Sequence, residues 1–176
     1  MKKIGLLLFA IVFLGITKGN AQQLDLQAQI DAAQEGSIVQ LGKGVYKGNI
    51  VITKPIVLEG VEGTIIKSNA DAPAITVDNT SNVTIRNITI ETLGTGMTIR
   101  KGNDIKLSNI YMKNVDAGIK IYNTQHVLGS ELTIEGNAQH YSKKGNGIAI
   151  YESHSIELLD NDIRSVQDGF YIEHVK

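Results

Sequence analysis

The stretch Gly145–Lys176, GNGIAIYESHSIELLDNDIRSVQDGFYIEHVK, contains one phrase twice: Gly147-Ile148-Ala149-Ile150 and Gly169-Phe170-Tyr171-Ile172. Each copy is a glycine followed by apolar residues at alternate positions, the period of a strand that buries one face. The same phrase, a small residue and then an apolar one, recurs upstream at Ala74-Ile75, Gly96-Met97 and Gly118-Ile119. The steps between the five copies are 22, 22, 29 and 22 residues. Flanking positions keep the same register. Val77, Ile99, Ile121, Ile150 and Ile172 align, as do Val83, Ile105, Val127 and Ile156, and Ile90, Met112, Ile134 and Ile163. The long step holds seven extra residues within the polar stretch GNAQHYSKKGN (136–146), which reads as one loop bulging from a regular coil.

Segments rich in Val, Ile and Thr, punctuated by Gly and Asn, favour strands over helices. Several such strands in a period near 22 residues indicate a stacked repeat architecture. The predicted fold is all-β: a right-handed parallel β-helix whose coils lie about 4.8 Å apart with like residues above like. A leucine-rich repeat has a similar period, but its L-x-x-L-x-L…N pattern is absent. The repeat glycines are expected at sharp corners where φ is positive. Asn87 and Asn109, one period apart, are expected to form an amide ladder. Met97 and Met112 fall in inward registers and read as core rather than as soft copper ligands. Leu26 to Ala33 reads as a short helix with Leu26, Ile30 and Ala33 on one face, ended by Glu35-Gly36 and placed to cap the first coil. Nothing comparable follows Ile172, so the solenoid is expected to be truncated at its C-terminus.

Residues 1–21 have the form of a cleaved secretory signal: basic Lys2 and Lys3, an apolar run from Ile4 to Ile16, then Gly19-Asn20-Ala21. The apolar run is shorter than the roughly 20 residues of a membrane span. Cleavage leaves residues 22–176 as one β-helix domain in an exported protein. It removes three lysines and no acid, moving the formal charge from −1 to −4. That mild acidity argues against a nucleic-acid partner. The chain has no cysteine, so burial and backbone pairing must hold it together without disulfides.

Imidazole binds metals and moves protons near neutral pH, which singles out the histidines. In the repeat register His126 aligns with Ser155, Gln125 with His154, and His174 with Glu152 and Asn123. His126, His154 and His174 therefore come from one corner of three consecutive coils, whose spacing allows a shared metal ion; His126 and His154 are the favoured pair. His140 lies in the long loop. The plain alternative is that these are solvated turn residues. Among the carboxylates, Asp160 and Asp162 with Arg164 form the one weak group joining acids to a cation, and corner aspartates ordinarily bond turn backbone. A glycosidase needs two carboxyls about 5 to 9.5 Å apart across the scissile bond. Tyr122 and Tyr151 share a register near the histidine corner, with Tyr171 offset by two residues.

Two stretches carry a family resemblance. The opening LQAQIDAAQEGSIVQLGKGVYKGNIVITKPIVLEG (26–60) has a helix, a Gly-x-Tyr turn (Gly44-Val45-Tyr46) and a Lys-Pro-hydrophobic strand (Lys54-Pro55-Ile56). The stretch 145–174 has Gly-Asn-Gly-Ile, an Asn-Asp-Ile turn and Asp-Gly-hydrophobic-Tyr. Both resemble the N-terminal portion of the NosD family, periplasmic copper-binding β-helix proteins of nitrous-oxide reductase maturation. The resemblance implies a non-enzymatic accessory protein. Its partners would be the ATPase and membrane subunits of an ABC-type transporter, a copper chaperone lipoprotein and nitrous-oxide reductase. It also favours copper for the corner histidines, although no short motif of the family assigns them. The alternatives are a polysaccharide-binding or polysaccharide-processing β-helix, favoured by convergent acids with a basic partner, and a purely structural solenoid, favoured by isolated polar corners.

Overall fold

Alternation of apolar and polar residues from Ile38 onward lets each short segment bury one face and expose the other, and segments one period apart pair side by side. The computed structural model describes residues 25–137 and 145–175; the signal segment 1–21, His140 and the middle of the inserted stretch lie outside them. The polypeptide winds through six coils. The first contains β1 (Ile38–Gln40), β2 (Gly44–Lys47) and β3 (Ile50–Ile52), and the second β4 (Val57–Glu59), β5 (Thr64–Lys67) and β6 (Ile75–Asp78). The third contains β7 (Ser81–Glu91) and β8 (Thr95–Arg100), the fourth β9 (Asn103–Val115) and β10 (Ala117–Tyr122), and the fifth β11 (Gln125–Gly136) and β12 (Ile148–Tyr151). The sixth contains β13 (His154–Leu159), β14 (Asp162–Arg164) and β15 (Phe170–Glu173). One sheet runs β1-β4-β7-β9-β11-β13, with β2, β5 and β14 attached beside it; the other runs β3-β6-β8-β10-β12-β15. All pairings are parallel. Among the described residues no helix is long and apolar enough to cross a membrane.

The register is the one the repeat implies. Val77 pairs with Ile99, Ile99 with Ile121, Ile121 with Ile150, and Ile150 with Ile172. In the other sheet Val83, Ile105, Val127 and Ile156 form one column, and Ile90, Met112, Ile134 and Ile163 another. These columns are the core, and Met97 and Met112 are fully buried within it. Phe170 and Ile172 occupy core registers but are 50% and 61% exposed, because no coil lies above β15 among the described residues.

The N-terminal helix α1 (Leu26–Ala32) lays Leu26 and Ile30 on the first coil, with Asp25 as N-cap. The Gln27 side-chain amide both donates to the Val51 carbonyl (3.1 Å) and accepts from its N–H (2.7 Å), standing in for a neighbouring strand along β3. Lys54 Nζ donates to the Asp31 and Ala33 carbonyls at 2.8 and 2.7 Å, closing the helix C-terminus.

Two expectations need correcting. The repeat glycines Gly96, Gly118, Gly147 and Gly169 do not have positive φ. Three of them are required by close approach instead. A Cβ on Gly118 would lie 2.3 Å from the Gly147 carbonyl oxygen and 2.7 Å from Ile134 Cγ2; one on Gly147 would lie 2.4 Å from Ile163 Cγ2. Left-handed backbone falls largely on other residue types, most of them in three columns; Asn49, Asn114 and Ser165 lie outside these. The columns are Asn79, Lys101, Asn123, Glu152 and His174; Asn82, Asp104, His126 and Ser155; and Asn87, Asn109, Glu131 and Asp160, with φ between 47° and 58° throughout. Asn109 Nδ2 donates to Asn87 Oδ1 at 2.9 Å, the expected amide ladder.

Opposite charges also meet on one face, beyond the weak acid–arginine group expected from sequence. Lys67, Glu91, Lys113, Glu135 and Arg164 lie in one column with alternating sign. Lys113 and Lys67 both approach the Glu91 carboxylate. Tyr111, in the neighbouring column, donates its hydroxyl to Glu135 at 2.6 Å, and Arg164 lies 3.6 Å from the same carboxylate. The tyrosine hydrogen bond first, then the Arg164 and Lys113 charges, hold the Glu135 carboxyl below the ordinary carboxylate range.

Alanine at Gly118 should destabilise the protein by about 1–3 kcal/mol through overpacking. Alanine at Gly169, where nothing lies within 4 Å of the added carbon, should leave the denaturant midpoint near wild type. Because the folded state depresses the Glu135 pKa, its contribution is complete above the unfolded pKa and is lost as pH falls through the folded one. In an NMR titration, Tyr111→Phe should move the Glu135 midpoint upward, toward the ordinary carboxylate value.

Candidate functional site

The corner that follows β10 and β12 is built by hydroxyl ladders. Thr124 Oγ1 donates to the Tyr122 carbonyl at 2.8 Å, and Ser153 Oγ to the Tyr151 carbonyl at 2.7 Å. Each hydroxyl also accepts a main-chain N–H from the coil before it: Gly102 N to Thr124 Oγ1 at 3.2 Å, and Thr124 N to Ser153 Oγ at 3.1 Å. The fourth and fifth coils therefore turn this corner in the same way. Side chains just beyond it form outward columns along the solenoid.

Two of those columns carry His126 and His154. Gln125 pairs with His154 across β11 and β13, which sets His126 one residue from the His154 column. Their rings meet edge to face, with centroids 6.2 Å apart and planes at 75°. Both side chains are exposed. His126 Nδ1 lies 2.9 Å from Asn103 Oδ1, an atom that can only accept; a neutral ring that donates to it from Nδ1 has Nε2 available as a ligand atom. Asn103 is itself oriented by donating from Nδ2 to Asp104 Oδ2 at 2.8 Å, and an Asp104 oxygen lies 3.9 Å from His126 Nδ1. A shallow recess bounded by Asn82, Thr84, Asp104 and Lys106 adjoins this corner one and two coils earlier.

His174 occupies the expected corner position, but its contact is with Glu173, whose Oε1 lies 3.5 Å from Nδ1. Among the described residues no contact joins His174 to His126 or His154, and no three His, Asp or Glu side chains gather as a metal-holding group. The donor set at the corner is thus two imidazoles. A centroid separation of 6.2 Å leaves room for an ion about 2.0 Å from one nitrogen of each ring once the rings turn from edge to face so that both nitrogens point at it. Two nitrogen donors fit a two-coordinate monovalent copper better than tetrahedral zinc, whose structural sites take four ligands.

Beside the histidines runs an aromatic ladder. Tyr122 and Tyr151 stack at 4.8 Å with planes 7° apart, and Tyr171 lies 5.7 Å from Tyr151 at 45°. The two-residue offset of Tyr171 does not keep its ring from that of Tyr151. Burial raises the Tyr122 phenol above its ordinary value, and the hydrogen bond to Glu173 does so for Tyr171.

A second concavity lies on the same sheet, toward the N-terminal coils. It is a shallow groove running across coils one to four, lined by Gln40, Glu59, Glu62, Asn87, Asn109 and Tyr111 among others. Sequence spacing missed it, because its walls come from a turn in the second coil and from two strand columns. The in-register asparagines were its legible signal.

No curated protein matches the chain. Among solved structures it is similar to a crystal structure from Parabacteroides merdae, of a protein provisionally assigned as a glycosyl hydrolase. The identity is 9%, the TM-score 0.42, and the alignment covers 81% of this chain and 80% of that one. Residues 56–176 match the family described as right handed beta helix region, a span that begins at the threshold of β4 and takes in five of the six coils. With its repeat, its parallel columns and this match, the chain belongs to the family of right-handed β-helix proteins.

Proposed function

We propose that this chain is an exported accessory protein that handles copper through the His126–His154 corner, in the manner expected of the NosD family. The observation that carries the reading is the juxtaposition of the two imidazoles, 6.2 Å between centroids, together with the Asn103 oxygen 2.9 Å from His126 Nδ1. In this reading His126 and His154 hold the ion. Asn103 fixes the tautomer and Asp104 fixes Asn103, an outer-shell arrangement of the kind that tunes metal affinity. Copper bound there would be cargo. The chain would receive it from a copper chaperone lipoprotein and support maturation of nitrous-oxide reductase alongside an ABC-type transporter. His174 belongs to the same corner one coil on, where it could assist exchange of the ion without holding it.

A second reading, polysaccharide binding, is favoured by the groove across the N-terminal coils of the same sheet. Its amides, carboxylates and one phenol offer sugar hydroxyls a row of partners across successive coils. The tyrosine ladder is a poorer platform, since Tyr122 and Tyr151 turn their faces to each other.

Substitutions at the corner must respect its backbone. His126 has φ of 53°, which asparagine tolerates well; His154 lies in a strand. His126→Asn and His154→Gln therefore remove ligands without adding strain. Isothermal or competition titration with Cu(I) and Cu(II) should give one equivalent bound by the wild type. Each single variant should bind at least about 100-fold more weakly, more than an outer-shell loss. Unchanged copper binding in the folded double variant would remove the metal from this corner. Titration with neutral and uronic-acid oligosaccharides separates the readings. Binding that is lost in Tyr111→Ala and kept in His126→Asn would favour the groove.

A further inference from the structure

We propose that the Tyr122–Tyr151 pair is an oxidative cross-linking site, able to join the fourth and fifth coils covalently as a dityrosine. The geometry is set by the solenoid. Tyr122 and Tyr151 are direct register partners across β10 and β12. Their ring centroids are 4.8 Å apart and the planes nearly parallel, so one ring presents its face to the other from an in-register position. Neither ring can diffuse away, and the coils beneath are locked by parallel pairing on both sides.

The chemistry is a two-electron oxidation. Each phenol gives up one electron and one proton to become a phenoxyl radical. The radicals then join through a carbon–carbon bond ortho to each hydroxyl, and each ring returns its displaced ortho hydrogen to its own oxygen. Hydrogen peroxide, activated by a peroxidase, takes the two electrons and two protons and leaves as two waters. Tyr171 is the entry point. It is 40% exposed, its hydroxyl donates to Glu173 Oε2 at 3.1 Å, and its ring lies 5.7 Å from Tyr151. Glu173 can take the phenolic proton as the electron leaves, and the radical can then pass inward to Tyr151. The site has a particular meaning in a chain without cysteine, where no disulfide can tie one coil to the next. The bond would close a loop between residues 29 apart in sequence, across the inserted stretch 136–146.

The test uses the folded full chain, dilute, with hydrogen peroxide and a haem peroxidase. Dityrosine fluorescence should appear while the protein keeps its monomeric size. Peptide mapping should find the peptides of Tyr122 and Tyr151 joined, with the loss of two hydrogens. By analogy with a disulfide closing a loop of this length, the thermal midpoint should rise by on the order of 10 °C. Tyr151→Phe, which keeps the ring stack, should abolish the intramolecular product; Tyr171→Phe should slow it; Tyr111→Phe should leave it unchanged. Unfolding in urea before oxidation should remove the preference for this pair. The proposal is overturned if the folded chain links only between molecules, or if the intramolecular bond maps to another pair. Full yield in Tyr151→Phe, or oxidation of Tyr171 without any dityrosine, would also overturn it.

Discussion

Main-chain hydrogen bonds between equal registers of successive coils are what everything else in this protein depends on. Because β7, β9 and β11 pair residue for residue, one column of side chains shares one environment from coil to coil. A core column must be apolar along its length, and a surface column can collect whatever chemistry its members bring. Both the aliphatic stacks and the alternating Lys67–Glu91–Lys113–Glu135–Arg164 row follow from that. The exposed members of such a row contribute little individually, since surface ion pairs are worth about 0–1 kcal/mol each. Their larger effect is on specificity: a coil slipped in register would set like charges against each other.

The corners impose the complementary constraint. Three recurring columns of corner residues take left-handed backbone, a conformation that costs most residues about 1–2 kcal/mol. Asparagine and aspartate, which tolerate it, fill about half of those places, and the rest go to Lys101, His126, Glu131, Glu152, Ser155 and His174. A corner that holds lysine, glutamate or histidine where asparagine would be easier is a place where folding preference has been overridden. His126 is such a place, and it is the one whose ring is fixed by Asn103 and faces His154.

Much of this was readable from sequence because a parallel stack repeats itself along the chain. The columns through Val77 and Val83, the buried methionines and the Asn87–Asn109 bond all follow from the 22-residue step. The nearness of His126 to His154 was legible for the same reason. What could not be read were distances that depend on side-chain reach or backbone direction. Gly118 looks in sequence like a residue chosen for its torsion angles, but it is there because a neighbouring carbonyl leaves no room for a Cβ. Tyr111 meets Glu135 diagonally, from a different column and 24 residues away, so alignment by period does not pair them. Lys101 and Glu131 carry nothing in their side chains to mark a left-handed corner.

The Gln27 amide has a consequence for how the solenoid meets other chains. A strand edge is a row of unmet donors and acceptors, and any extended peptide can dock on it. Over β3 that vacancy is filled by one side chain offering one donor and one acceptor, with the rest of α1 lying behind it. The helix end of the stack thus has its valence for strand addition reduced by a single residue. The solenoid becomes a polar object, with one face at which a visiting strand must compete with an intramolecular glutamine.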